Sequence, residues 1–182
     1  REVHLLRAQI RHSDSRLEHI GYAMNEAVIT AGPPYRVIEL GIRIDSSIGP
    51  VVRGDGIIVS TAVGSTAYNV SAGGPIVHPH VDTTLITPIA AHSLAFRTIV
   101  VPGESSIEIT PLQINDEEEG GGTTLVLDGQ IQRRITSDER VLITRSSETV
   151  RLVVNSAGDY WKTLANKLHW AKPPSALPQD PE

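Results

Sequence analysis

The sequence predicts a mainly β fold: two packed β-sheets, sandwich-like, with a short helix after a Gly-Ser-Thr-Ala-Tyr loop and a second helix near the C-terminus. Three observations carry this. The 182-residue chain holds 15 Gly and 12 Pro, and short β-branched runs sit between them. Strands at that spacing suggest a sandwich or two packed sheets. Residues 64–72 break the β pattern, and residues 159–170 alone carry a helical period.

Taken in order, residues 3–10 read as a strand and residues 24–30 as another, ended by Gly32-Pro33-Pro34. Residues 35–44 alternate as a half-buried strand does, and residues 45–49 read as a turn. Residues 56–61 are continuously apolar, which suits a strand covered on both faces. Ser65 or Thr66 is expected to cap a short helix through Ala67 and Tyr68. Residues 83–89, 98–101, 106–110, 124–127, 141–144 and 149–154 are further strand candidates. Asp159 is the expected N-cap of the last helix, with Trp161, Leu164 and Leu168 on one face and Pro173-Pro174 as its stop. We therefore expect one domain over residues 1–170 and a Pro-rich disordered tail over 171–182. Residues 116–122, acidic then Gly-rich, read as a solvated connection rather than a metal site. No internal repeat is present.

Composition narrows the function. Net charge is −5, which argues against a phosphate-backbone binder of the nucleic-acid type. No apolar run reaches the length of a membrane span, and no secretory start is seen. Cysteine is absent, so disulfide and thiol chemistry are excluded and a cytoplasmic setting is expected. The chain starts at Arg1 and its one methionine is Met24, which reads as a piece of a longer protein.

Several residues could carry chemistry. Asn25-Glu26 are adjacent polar residues in an apolar run, and buried polar groups need partners. Asn can pair with an adenine edge, and Glu can accept from both ribose hydroxyls. An exposed strand end is the other reading. Gly54-Asp55-Gly56 could ligate a cation, accept from a ligand, or close a turn. Gly64 to Tyr68 lets a ligand approach the backbone and offers hydroxyls and a ring, or is a helix-start turn. Neither a nucleophile elbow nor a P-loop is present. His78, His80 and His92 show no metal-ligand spacing. Asn69-Val70-Ser71 is formally a glycosylation sequon, discounted inside so dense a motif.

Together these pieces resemble the NAD kinase family. Asn25-Glu26 with Ala27-Val28-Ile29 resembles its asparagine-acid motif. Residues 54–76 resemble its Gly-Asp-Gly…Gly-Ser-Thr-Ala-Tyr…Ser-Ala-Gly-Gly-Pro-Ile signature. Residues 87–94 and 97–102, Asp128-Gly129-Gln130, and residues 164–170 resemble its later segments. The resemblance spans roughly residues 1–170.

The family phosphorylates the adenosine ribose 2′-hydroxyl of NAD, from ATP or polyphosphate, making NADP. Its N-terminal domain carries the catalytic base in a Gly-Gly-Asp-Gly motif, which is absent from this sequence. The resemblance therefore implies the β-rich NAD-binding domain, with no catalytic or metal-binding residue of its own. Mg²⁺ with ATP is expected mainly through the other domain. It implies that Asn25 contacts adenine, Glu26 the ribose hydroxyls, and that Thr66, Ala67, Tyr68 and Ser71 line the pocket. Asp55 is implied to reach NAD across the interface of a homodimer or homotetramer, and Gln130 lies near a further contact. Ala62 and Val63 depart from the family's Pro and Thr or Ser, and Val63 removes a hydroxyl. Two other readings stay open: a relative with a lipid acceptor, and a non-catalytic nucleotide-binding or oligomerisation module.

Overall fold

Alternation along the strands builds the core. In β4 (Ile38–Ile44), Ile38, Leu40 and Ile42 are buried while Glu39, Gly41 and Arg43 stay partly open. Ile107 and Ile109 of β9 (Ile107–Gln113) are likewise buried, with Glu108 buried between them. The computed structural model describes residues 1–93, 95–116, 121–153 and 159–168. The other strands are β1 (Glu2–Arg11), β2 (Leu17–Ala23), β3 (Glu26–Thr30), β5 (Ser47–Gly54), β6 (Gly56–Thr61), β7 (Thr83–Ile89), β8 (Ile99–Pro102), β10 (Thr124–Leu127), β11 (Ile131–Arg134) and β12 (Arg140–Arg151). The helices are α1 (Tyr68–Ser71) and α2 (Tyr160–Leu168).

The fold is mainly β, as expected. One six-stranded sheet has the order β2-β1-β12-β9-β4-β5 and the other β11-β10-β3-β6-β7-β8. Their registered pairs are antiparallel, for example Val28 opposite both Ile58 and Val126. The inner faces share one core, with Leu6, Ile10, Leu40 and Ile109 from the first sheet meeting Ile29, Ile57, Val59 and Leu125 from the second. The far face of β6 is covered as well, by α1 and the short 3-10 turn Gly64–Thr66. Every residue of β6 is therefore buried, as its apolar run predicts.

Both sheets belong to the unit Glu2–Val150, and Arg1 with the residues from Arg151 onward forms a second. In that second unit, Arg1 and Leu152 exchange backbone hydrogen bonds of 2.8 and 2.7 Å. Asp159 caps α2 as expected, its Oδ1 accepting from Trp161 N–H at 2.9 Å and Lys162 N–H at 3.4 Å. Leu164 is buried, while Trp161 and Leu168 are exposed.

Several expectations are corrected. The turn after β4 is only Asp45-Ser46, because β5 starts at Ser47. Asp45 closes it by accepting from Ser106 N–H at 2.8 Å. The two strand candidates over 141–154 are one strand, β12, whose polar middle stays extended. Ser65 caps nothing: its hydroxyl bonds both the N–H and the C=O of Val77 at 3.1 Å. Ala67 holds the N-cap position of α1 instead. Residues 117–120, Val154 and the expected tail lie outside the described residues.

Candidate functional site

The Asn25-Glu26 pair straddles a strand start: Glu26 is the first residue of β3, and Asn25 lies just outside it. β2 ends at Ala23 in one sheet and β3 begins at Glu26 in the other, so Met24-Asn25 is the crossing between them. A crossing of two residues has no ladder to satisfy its backbone, and buried backbone groups must be paired. Three residues from two elements supply the pairs. Asp128, in the turn between β10 and β11, accepts from Met24 N–H at 2.6 Å, Asn25 N–H at 2.8 Å and Glu26 N–H at 3.0 Å. Thr61 takes the carbonyls: its N–H donates to Asn25 O at 2.9 Å and its hydroxyl to Met24 O at 2.7 Å. Ser60 Oγ adds a 3.2 Å bond to Asn25 O.

The Gly-Ser-Thr-Ala-Tyr segment closes over this crossing. Gly64 N–H donates to Thr61 Oγ1 at 3.0 Å. Behind the segment, Asn69 acts as a latch. It is wholly buried, donates to Ser65 O at 2.8 Å and Pro75 O at 3.0 Å, and accepts from the Thr87 hydroxyl at 2.6 Å. Gly74 lies against it, because a Cβ there would meet Asn69 Oδ1 at 2.1 Å. Asn69 is thus a structural amide, and its side chain is no glycosylation acceptor in the folded protein.

Glu26 is the unusual group of the site. Only 7% of it is exposed, and Oε2 has no hydrogen-bond partner among the described residues. Burial pushes its carboxyl above the usual range, and the neighbouring Asp128 charge pushes it further. The Tyr68 backbone N–H, bonded to the carboxyl, works the other way. A buried acceptor left open costs stability unless something outside the chain completes it. Asn25 is half-buried, with its main chain fully held and its amide uncommitted to the crossing.

The structure gathers some of the expected site residues. Asn25, Glu26 and Tyr68 converge, and Ala67 and Thr66 belong to the same short turn. Ser71 is exposed at the end of α1, and Gln130 is exposed in the hairpin turn beside Glu26, where Asp128 N–H donates to Glu26 O at 3.1 Å. Asp55 stands apart, one whole strand of β6 away from Asn25, about 20 Å at ordinary strand rise. The Asp55 backbone marks a second crossing between the sheets, accepting from Ala31 N–H at 2.8 Å and donating to Ile89 O at 2.9 Å. Its glycines are needed for close approach: a Cβ at Gly56 would lie 2.1 Å from Ile29 O, at φ 156°. Its carboxylate is exposed.

Asp128, Thr61 and Asn69 frame the site, and sequence reasoning gave none of them a role. The signal for Asp128 is an Asp-Gly turn between two strands, where φ is positive at both residues, 48° and 70°.

A second polar cluster lies elsewhere. The fold brings His12, Glu18 and Glu139 together with ligand atoms within 4.8 Å of one another. Arg133 already serves both carboxylates, at 3.2 Å to Glu18 and 2.7 Å to Glu139, so the cluster is a charge-balanced network.

The domain thus joins two packed sheets through a rigidly framed Asn25-Glu26 crossing in which Glu26 Oε2 is left open. A family model for the ATP-NAD kinase C-terminal domain matches residues 24–155, and the chain belongs to the NAD kinase family. An NAD kinase of Geotalea daltonii is 34% identical over 168 residues, 92% of this chain and 57% of that protein. One from Chlorobium phaeovibrioides is 39% identical over 150 residues, 82% of this chain and 52% of that protein. The chain thus spans about half the length of these relatives. The crystal structure of yeast NADH kinase complexed with NADH superposes with a TM-score of 0.81 at 26% identity, over 94% of this chain and 51% of that one. An NAD kinase from Archaeoglobus fulgidus in complex with ATP gives 0.63 at 27% identity, over 81% and 53%. Among the described residues, no helix is long and apolar enough to cross a membrane.

Proposed function

We propose that this chain holds NAD as the phosphoryl acceptor of an NAD kinase, which converts it to NADP. The observation that carries this is Glu26, buried, with Oε2 unpartnered beside Asn25. A ribose diol supplies the missing donors, and the Asn25 amide pairs with the adenine edge. Thr66, Ala67, Tyr68 and Ser71 form the adjoining wall, and Gln130 reaches the ligand from the hairpin turn. The related structures complexed with NADH and with ATP support a nucleotide in this fold.

The chemistry asked of these residues is positioning. Holding the acceptor hydroxyl in line and excluding its alternatives supplies much of the barrier reduction in phosphoryl transfer. The base and the Mg²⁺–ATP contacts come, in this reading, from the part of the relatives' length that this chain does not span. The residues at hand do not suit Mg²⁺, which needs an octahedron of oxygens. Asp128 already accepts from three N–H groups and Glu26 is buried.

Asp55 lies a full strand along β6 from Asn25, and we assign it to the NAD of a second copy in a homodimer or homotetramer. A cytosolic setting suits a chain without cysteine.

Calorimetric titration of the 182-residue chain with NAD tests the reading. Saturable binding that weakens in Asn25→Ala and Glu26→Ala is expected, with no NADP formed when ATP is added. Unchanged affinity in both variants would refute the assigned site. Measurable NADP formation would refute the division of labour.

A further inference from the structure

Asp128 opens the β10–β11 turn at φ 48°, a conformation few non-glycine residues hold without a reason. Its two carboxylate oxygens collect three successive backbone N–H groups, from Met24, Asn25 and Glu26, at 2.6, 2.8 and 3.0 Å. Its own N–H returns a bond to Glu26 O at 3.1 Å. The crossing it holds has no sheet ladder of its own at Met24 and Asn25. Charge-assisted bonds to a carboxylate are the stronger kind, and three of them on consecutive residues fix the local dihedrals. The directions taken by the Asn25 and Glu26 side chains therefore depend on a residue 103 positions from Asn25 and 102 from Glu26.

We propose that Asp128 is the positioning residue for nucleotide recognition. It holds the main chain of Met24 to Glu26 so that the Asn25 amide and the Glu26 carboxyl meet the adenosine half of the ligand, and it ties that grip to the hairpin turn carrying Gln130. The proposal rests on the NAD reading above. Asp128 acts in this scheme through the main chain it holds, both of its oxygens being turned to the three N–H groups.

The test is NMR titration of the full chain with NAD and, separately, with AMP. Asp128→Ala is expected to weaken both by the same factor, about tenfold or more, because the adenosine half is what the crossing reads. Asp128→Asn keeps one acceptor for the Asn25 and Glu26 N–H groups and should show an intermediate loss. Val126→Ala, in the same β10 strand, is the stability control and should leave both affinities within about twofold despite a lowered melting point. Should Asp128→Ala not fold, the Asn variant carries the comparison. Unchanged AMP and NAD affinity in the Asp128 variants, or an equal loss in Val126→Ala, would overturn the positioning role. No NAD-induced shift in the wild-type chain would instead overturn the reading of the site itself.

Discussion

Gly64 stands so close to Asn25 that a Cβ at position 64 would come within 2.1 Å of the Asn25 carbonyl oxygen. The loop and the crossing are therefore one rigid piece, and neither can shift alone. Gly64→Ala should cost about 1–3 kcal/mol by forcing backbone against backbone. We expect a lowered thermal midpoint together with lost NAD binding. A variant that melts lower yet binds NAD as wild type would separate the two.

Glu26 makes stability depend on pH. Its folded carboxyl titrates above its unfolded value because of burial and then the Asp128 charge. Between those two values the folded chain holds more protons than the unfolded one. Stability is then fully present below the unfolded value and declines as pH rises toward the folded one. Glu26→Gln should flatten that decline when urea midpoints are compared at about pH 5 and about pH 7.5. The same variant should weaken NAD binding about tenfold, since a neutral amide replaces a carboxyl that accepts the diol.

Arg133 holds Glu139, whose side chain is 6% exposed, and Glu18. Arg133→Met strands a buried carboxylate, and breaking such a pair costs about 3 kcal/mol or more. Arg133 is itself 28% exposed, which places the expected loss toward the lower end. Thermal denaturation should show it, with NAD affinity unchanged.

Asn69→Ala removes the donor to the carbonyls of Ser65 and Pro75, while the Thr87 hydroxyl keeps Thr98 Oγ1 at 3.0 Å. Each such group costs about 1–3 kcal/mol when buried. The loss should appear both in the melting point and in NAD affinity, because the latch backs the loop that carries Tyr68. Asn69→Asp keeps the acceptor for Thr87 but no donor, and should rescue little.

Val63→Thr restores the hydroxyl that the resemblance places beside the nucleotide. Val63 is half-buried and immediately precedes Gly64. NAD affinity should rise a few-fold, as expected for about one added hydrogen bond. An unchanged titration curve would remove position 63 from the site.

The strands that bury hydrophobic side chains were legible in the sequence: β1, β3, β4, β6, β7 and β10 announce themselves by apolar pattern. The strands that were not, β2, β5 and β11, are all sheet edges. An edge strand buries little and carries charge or proline to discourage further pairing, so its sequence reads as loop. Pro50 in β5 and Arg133-Arg134 in β11 are such residues. The site divides the same way. Asn25 and Glu26 stood out as polar residues in an apolar run. Asp128 did not, because its role depends on contacts made across the sandwich and no local spacing encodes those.

The long reach between Asn25 and Asp128 also bears on how the protein comes to exist. Closing 103 residues of chain is slow compared with forming a local hairpin, since the entropy of closure precedes any reward. A chain emerging from the ribosome carries Asn25 and Glu26 early, yet has nothing to hold them until β10 has followed. Nucleotide affinity should therefore arrive late in folding, as a sign that the sandwich has closed.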